Sequence, residues 1–244
     1  MTVEDRIKQN IKKKNHLLFS LVDTENISDL SDLVTNLEAS NVDAILVGGS
    51  TIADQVHLDN AVKIIKSRTS MPVILFPGNI TGISRHADAI LFSSLLNSND
   101  PYFLIGAQAI ASHTVWKYKL EAIPMAYLIA GEGVSAGFIG NARIFPKEKP
   151  ELIVAYALAA QYLGMRFLYL EAGSGARKSI PPSVIKLVRS YYNGIMIVGG
   201  GIRNPETAKA VANAGADIIV VGNLLETSDY FPKLKNISNA IHSH

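Results

Sequence analysis

The sequence predicts an α/β protein built as a closed, eight-stranded parallel barrel, a (β/α)8 or TIM barrel. Three observations predict it. Eight short runs rich in aliphatic and β-branched residues recur along the 244 residues, and segments of helical periodicity separate them. The runs are apolar on both faces, as strands of a buried parallel sheet must be. Barrels of this kind commonly reach about 250 residues as one domain. No linker, low-complexity stretch or shift in composition divides residues 1–244, so a single domain is expected. A doubly wound open sheet is the structural alternative.

The elements follow in order. Residues 1–14 read as a helix ahead of the first strand, with Val3, Ile7 and Ile11 on one stripe and Lys8, Lys12, Lys13 and Lys14 beside it. This segment has neither the apolar stretch nor the small-residue site of a secretory signal. Strands are expected at Leu17–Val22, Ala44–Val47, Val73–Phe76, Ala89–Ser93, Met125–Ile129, Phe167–Leu170, Met196–Val198 and Ile218–Val221. Helices are expected at Ser28–Ser40, His57–Ser67, Pro101–Lys117, Pro150–Leu163, Pro182–Tyr192, Pro205–Ala214 and Tyr230–Ile241. Two of them open on Lys-Pro-Glu and Asn-Pro-Glu, where proline and an early carboxylate suit a first turn.

One unit is short. Only Asn79–Asp88 separates the turn at Pro77-Gly78 from the fourth strand, and a crossover with its helix usually needs a dozen residues or more. The third outer helix is therefore expected to be missing or replaced by an extended segment. Neighbouring loops could cover the gap, or it could leave an apolar groove along the barrel flank, wide enough for a long hydrocarbon chain.

Composition narrows the chemistry. With no cysteine, disulfides, thiolate zinc sites, iron–sulfur clusters and cysteine nucleophiles are excluded. Lys and Arg number 23 against 21 Asp and Glu, so there is no broad basic footprint for nucleic acid. No run approaches the roughly 18 apolar residues of a membrane span. A soluble cytoplasmic protein is the expectation.

The chemistry of such barrels gathers at the C-terminal ends of the strands, and phosphate often docks after strands seven and eight. Strand seven ends in Gly199-Gly200-Gly201-Ile202-Arg203, strand eight in Gly222-Asn223, and strand six in Tyr169-Leu170-Glu171-Ala172-Gly173-Ser174-Gly175-Ala176. Glycines there let backbone N–H groups approach phosphate oxygens. Three such clusters at one end of the barrel point to a phosphate-bearing ligand. Asp23 after strand one and Ser50 after strand two add a carboxylate and a hydroxyl, a donor pair that suits Mg²⁺ completed by substrate phosphates. Asp23 could equally cap the following helix, and Glu25 is a rival ligand. The histidines show no ligand spacing, which argues against a dedicated zinc or iron site. Asp43, Asp88 and Asp217 fall at strand starts, on the face that serves stability.

These residues, with Gly48–Ser50 (GGS), Phe76–Asn79 (FPGN) and Tyr169–Ala176 (YLEAGSGA), resemble geranylgeranylglyceryl phosphate synthases in order over nearly the whole chain. YLEAGSGA is the most specific of these motifs. The resemblance implies a modified TIM barrel without its third helix. It also implies a Mg²⁺-dependent prenyltransferase of archaeal membrane-lipid synthesis. The 3-hydroxyl of sn-glycerol 1-phosphate would attack C1 of geranylgeranyl diphosphate, forming an ether and releasing diphosphate. A bacterial branch of the family uses a longer, heptaprenyl donor. By the same resemblance Asp23 and Ser50 are the metal positions. Tyr169, Leu170, Glu171, Ala172, Gly173, Ser174, Gly175, Gly200, Gly201, Gly222 and Asn223 are the glycerol-phosphate contacts. One departure stands out: the family's DPDK after strand one is here Asp23-Thr24-Glu25-Asn26, without the second Asp and the Lys.

Glu171 is the candidate to orient the glycerol hydroxyls and accept a proton. His113, Trp116, Tyr118 and Tyr127 could bound the far end of a lipid groove, or belong to the core. The N-terminal lysines could contact anionic lipid at the membrane surface. The family includes dimers and hexamers, so a homo-oligomer is expected, with Phe138, Ile144 and Phe145 in one candidate interface segment. Two other readings compete: an isomerase or synthase acting on a sugar phosphate, and a non-catalytic phosphate-binding barrel.

Overall fold

A computed structural model of the chain describes residues 1–27, 29–49 and 54–242. Eight parallel strands close in sequence order: β1 (Leu17–Val22), β2 (Ala44–Val47), β3 (Val73–Leu75), β4 (Ala89–Leu95), β5 (Glu121–Gly133), β6 (Phe167–Ser174), β7 (Ile195–Gly199) and β8 (Ile218–Val221). Closure comes from β1 pairing with β8, Leu17 opposite Ile218. The helices are α1 (Val3–Lys14), α2 (Leu30–Ala39), α3 (Gln55–Arg68), α4 (Ala107–Tyr118), α5 (Val134–Ile139), α6 (Glu151–Tyr162), α7 (Pro182–Arg189), α8 (Pro205–Asn213) and α9 (Tyr230–His242). A π-helical turn, Tyr102–Gly106, precedes α4, and a 3₁₀ turn, Asn223–Glu226, follows β8.

The two-residue period of each strand sorts its side chains into two cores. Phe19, Leu46, Ile74, Leu91, Met125, Phe167, Tyr169, Ile197 and Val220 point inward and fill the barrel. Leu18, Ile45, Val73, Ile90, Leu168, Leu170, Met196 and Ile219 point outward and meet the helices. The expected strands are all present. β5 and β6 run farther toward the mouth than their apolar runs suggest, through Gly133 and Ser174. A register shift between Ile129 and Gly133 accompanies that extension.

Helix α1 closes the barrel bottom rather than lying along its side. Ile7 is buried in the interior cluster, with Val3 and Ile11 packed against it. The Glu121 carboxylate accepts from the backbone N–H groups of Val3 (2.5 Å) and Glu4 (2.9 Å), which satisfies two orphan donors of the helix start. Arg166 grips Glu4 with two bonds of 2.7 Å. Lys8 and Lys14 are paired with Glu4 and Asp43.

The third outer helix is absent. Residues 76–88 run without helix or strand between β3 and β4. Side chains of α3 hold this segment in place. Gln55 donates to the Ile83 carbonyl (3.1 Å), Asp59 accepts from Ser84 (2.5 Å), and Lys66 pairs with Asp88 (2.7 Å). Asp88 also accepts from Val73 N, Asp43 from Leu18 N and Asp217 from Met196 N, so all three strand-start aspartates are structural.

Candidate active site

One cavity of about 400 Å³ opens at the C-terminal ends of the strands and continues down the flank where the helix is missing. Its mouth is lined by Asp23, Gly49, Glu171, Ser174, Gly200, Gly201, Gly222 and Asn223; its flank by Ile80, Ile83, Ile90, Tyr102, Phe103, Ala107, Gln108 and Ala111.

At the mouth the parity of β6 decides which side chains can act. Tyr169 and Glu171 face the interior, whereas Leu170 and Ala172 are packed in the outer core. The Leu170 and Ala172 side chains therefore meet the helices, so only their backbones are available to a ligand. Glu171 is only 6% exposed. Its Oε1 accepts from the Gly173 N–H at 2.6 Å, and the Tyr127 and Tyr169 hydroxyls also bond to the carboxylate. Burial outweighs these three donors and pushes its pKa from 4.5 to about 7. Burial, reinforced by the Glu171 charge, raises both tyrosines well above 10. Phe76 stacks on Tyr169 at 5.2 Å and meets Tyr127 edge-on at 5.4 Å, which fixes both rings.

The backbone fits closely around this carboxylate. Gly200 has φ +83°, and a Cβ there would strike Glu171 Oε1, so the residue must be glycine on both counts. The loops that follow the strands are tied to one another. Asn223 Oδ1 accepts from Gly175 N at 3.0 Å, and Arg203 Nη1 donates to the Ala176 carbonyl at 2.9 Å. The glycine-bearing ends of β6, β7 and β8 are thus tied into one rim, in which the Gly173 and Gly175 N–H groups are engaged by Glu171 and Asn223.

Asp23 does not cap α2; Asp29 does, accepting from Ser31 and Asp32. Asp23 instead accepts from Glu25 N (3.2 Å) and Asn26 Nδ2 (3.1 Å), and it lies so close to Gly49 that a Cβ there would sit 2.8 Å from both carboxylate oxygens. Burial pushes its carboxyl above the ordinary value; the Glu25 N–H opposes this and the Glu25 charge adds to it. No ion pair among the described residues involves Asp23. Ser50, the other expected metal position, lies outside the described residues. Among the described residues no group of three His, Cys, Asp or Glu gathers as a metal cage.

Of the residues weighed for the far end of the groove or for the core, Tyr127 alone lines the cavity. Tyr127 lies inside the barrel beside Glu171, because it shares the inward parity of Ile123 and Met125. Trp116 is 74% exposed, with His113 against it, and Tyr118 lies under Arg85; none of the three lines the cavity. The flank wall comes instead from the π-helical turn. Gln108 pins that turn by donating to the Ser93 (2.6 Å) and Phe103 (3.2 Å) carbonyls, and Tyr102 and Phe103 face the cavity from it. Sequence periodicity does not reveal a π turn. Arg203 also lines the mouth; its signal in the sequence was its place two positions after the glycine run.

Comparison with known proteins gives the family. A family model, the PcrB family, matches residues 9–241. The chain belongs to the PcrB family. Relatives of this PcrB-family chain include the geranylgeranylglyceryl phosphate synthase of Nitrosopumilus maritimus, 51% identical over 98% of this chain and 96% of that one. The enzyme of the same name from Thermococcus gammatolerans is 48% identical over 99% and 96%. A crystal structure of (S)-3-O-geranylgeranylglyceryl phosphate synthase from Thermoplasma acidophilum, in complex with its substrate sn-glycerol-1-phosphate, superposes with a TM-score of 0.94. That protein is 38% identical, with all of both chains covered.

Proposed function

We propose that this chain is a prenyltransferase that joins geranylgeranyl diphosphate to the 3-hydroxyl of sn-glycerol 1-phosphate, as the names of its relatives indicate. The observation that carries the reading is the continuity of one cavity from a rim of glycine-bearing strand ends to an apolar flank. The rim suits a phosphate, and the flank suits a hydrocarbon. A sugar-phosphate isomerase would need the first and have no use for the second.

In this reaction the acceptor oxygen bonds to C1 of the donor, the C1–O bond to diphosphate breaks, and the hydroxyl proton passes to Glu171. A carboxyl held near 7 is half ionised at neutral pH, which suits a general base. Gly173 N and the two tyrosines hold its orientation. Asp23 fits a magnesium ion: a partly buried carboxylate whose pKa is raised and which no described ion pair engages is a hard-oxygen donor. Asp23 and Ser50 would hold it. Bound there, the ion would neutralise charge on the departing diphosphate. The same reading makes the protein a cytoplasmic homo-oligomer, dimer or hexamer.

The test is ether formation by purified protein with sn-glycerol 1-phosphate, Mg²⁺ and labelled prenyl diphosphates of several lengths. Geranylgeranylglyceryl phosphate is the expected product. Absence of ether with every donor sinks the reading.

A further inference from the structure

We infer that Arg203 is the cationic receptor for the phosphate of the acceptor substrate and the residue that makes the enzyme demand a phosphorylated acceptor. The inference rests on the prenyl-transfer reading for the acceptor's identity, but its core, a phosphate held by Arg203, stands on geometry. Of the described residues that line the cavity, Arg203 alone carries a Lys, Arg or His side chain, whereas Asp23, Glu171 and Glu226 bring three carboxylates. A phosphate dianion entering this mouth meets a field of its own sign, with one side chain to offset it.

The placement of Arg203 fits that task. It follows Gly200 and Gly201 after one residue, Ile202, and reaches across to the loop after β6, where Nη1 donates to the Ala176 carbonyl at 2.9 Å. That single bond orients the fork and uses one of five N–H donors. No ion pair among the described residues consumes its charge. The side chain is exposed at the mouth, so a ligand can reach it without displacing a buried partner. Its neighbours across the gap are the strand-end loop of β6 and, through the Asn223–Gly175 bond, the loop of β8. The guanidinium therefore sits beside the glycine-bearing ends of β6 and β7, on the strand-end side of the cavity. Planar paired donors match two phosphate oxygens in a way that a lysine cannot.

The experiment compares wild type, R203M and R203K by steady-state kinetics and by calorimetric binding of inorganic phosphate. Loss of a charge-assisted contact of this kind should raise KM for sn-glycerol 1-phosphate by about 10- to 100-fold in R203M. KM for the prenyl diphosphate and the rate with unphosphorylated glycerol should stay within about threefold of wild type, and phosphate binding should weaken in parallel with the acceptor KM. R203K should fall between the two, and it carries the test if R203M fails to fold. An unchanged acceptor KM, or a change confined to the prenyl diphosphate, overturns the inference. Equal losses with glycerol and glycerol phosphate also overturn it, because they mark a purely structural tie to Ala176. If wild type forms no ether yet binds phosphate through Arg203, the proposed reaction fails and the phosphate receptor stands.

Discussion

The substitution Glu171→Gln separates what the carboxylate does for chemistry from what it costs the fold. Gln keeps the shape and still accepts from Gly173 N, but it cannot take a proton. In the folded protein the pKa rises from 4.5 to about 7. Between those values the native state holds a proton that the unfolded chain has released. Stability contributed by this residue is therefore greatest at low pH and declines as pH climbs through the window. Charging the group in place costs about 3 kcal/mol, the difference of the two values at about 1.36 kcal/mol per pH unit.

E171Q removes that cost. It should match wild type near pH 5 and exceed it by about 1–3 kcal/mol near pH 8 in urea unfolding. Catalysis should move the other way. Removal of a general base lowers kcat by about 10²- to 10⁴-fold. In wild type kcat/KM should rise with pH to a plateau, with an inflection near 7 set by the ionised carboxylate. The assay is initial-rate ether formation from about pH 5.5 to 9 for both proteins. An inflection near 7 that survives in E171Q, or a loss of less than tenfold, refutes the assignment of this carboxylate as the base.

Three further outcomes are expected. Gly200→Ala forces a Cβ into a left-handed backbone and onto Glu171 Oε1, so it should cost roughly 1–3 kcal/mol of stability and most of the activity, read by thermal unfolding and turnover. Asp23→Asn should bind glycerol phosphate normally, melt no lower than wild type because a partly buried charge is gone, and lose ether formation that no Mg²⁺ concentration restores; normal turnover would dismiss the metal assignment. Glu4→Gln loosens the helix that closes the barrel bottom. The Arg166 bond holds the Glu4 carboxyl below its ordinary value, so its stabilisation is present above about pH 4.5 and is lost as pH falls through the lower, folded value. The melting temperatures of E4Q and wild type should differ at pH 7 and converge in acid.

Much of this was legible in the residues because barrels obey short-range rules. Apolar runs marked all eight strands, and the ten residues of Asn79–Asp88 were too few for a crossover helix. The glycine-bearing ends of β6, β7 and β8 do line one mouth. What escaped depends on direction or on tertiary ties. Which side chains of Tyr169–Ala176 face the mouth follows from parity within the barrel, and motif matching carried Leu170 and Ala172 along with their neighbours. Tyr127 obeys the same parity and could have been placed by counting from Met125. The π turn at Tyr102–Gly106 depends on Gln108 reaching back to Phe103, a contact with no periodic signature.

The missing helix also shapes the energetics of substrate binding. Where a complete barrel would carry its third helix, the flank leaves Ile80 exposed and Tyr102, Phe103 and Ala107 half-buried beside the cavity. A hydrocarbon tail that covers them recovers the burial that the fold gave up, at up to about 0.8 kcal/mol per methylene. Affinity for the prenyl donor should therefore climb with chain length until the flank is full. The flank is remote from Glu171 and Asp23, so this gain belongs equally to the ground state and the transition state. Lengthening the donor should lower its KM steeply and leave kcat nearly flat, then stop helping once added carbons project into solvent. The acceptor, by contrast, has no apolar surface to bury and depends on backbone donors and one arginine. Added salt should therefore raise KM for glycerol phosphate more than it raises KM for a long-chain donor. Equal salt sensitivity for the two substrates would mean that charge, and not the opened flank, holds the lipid.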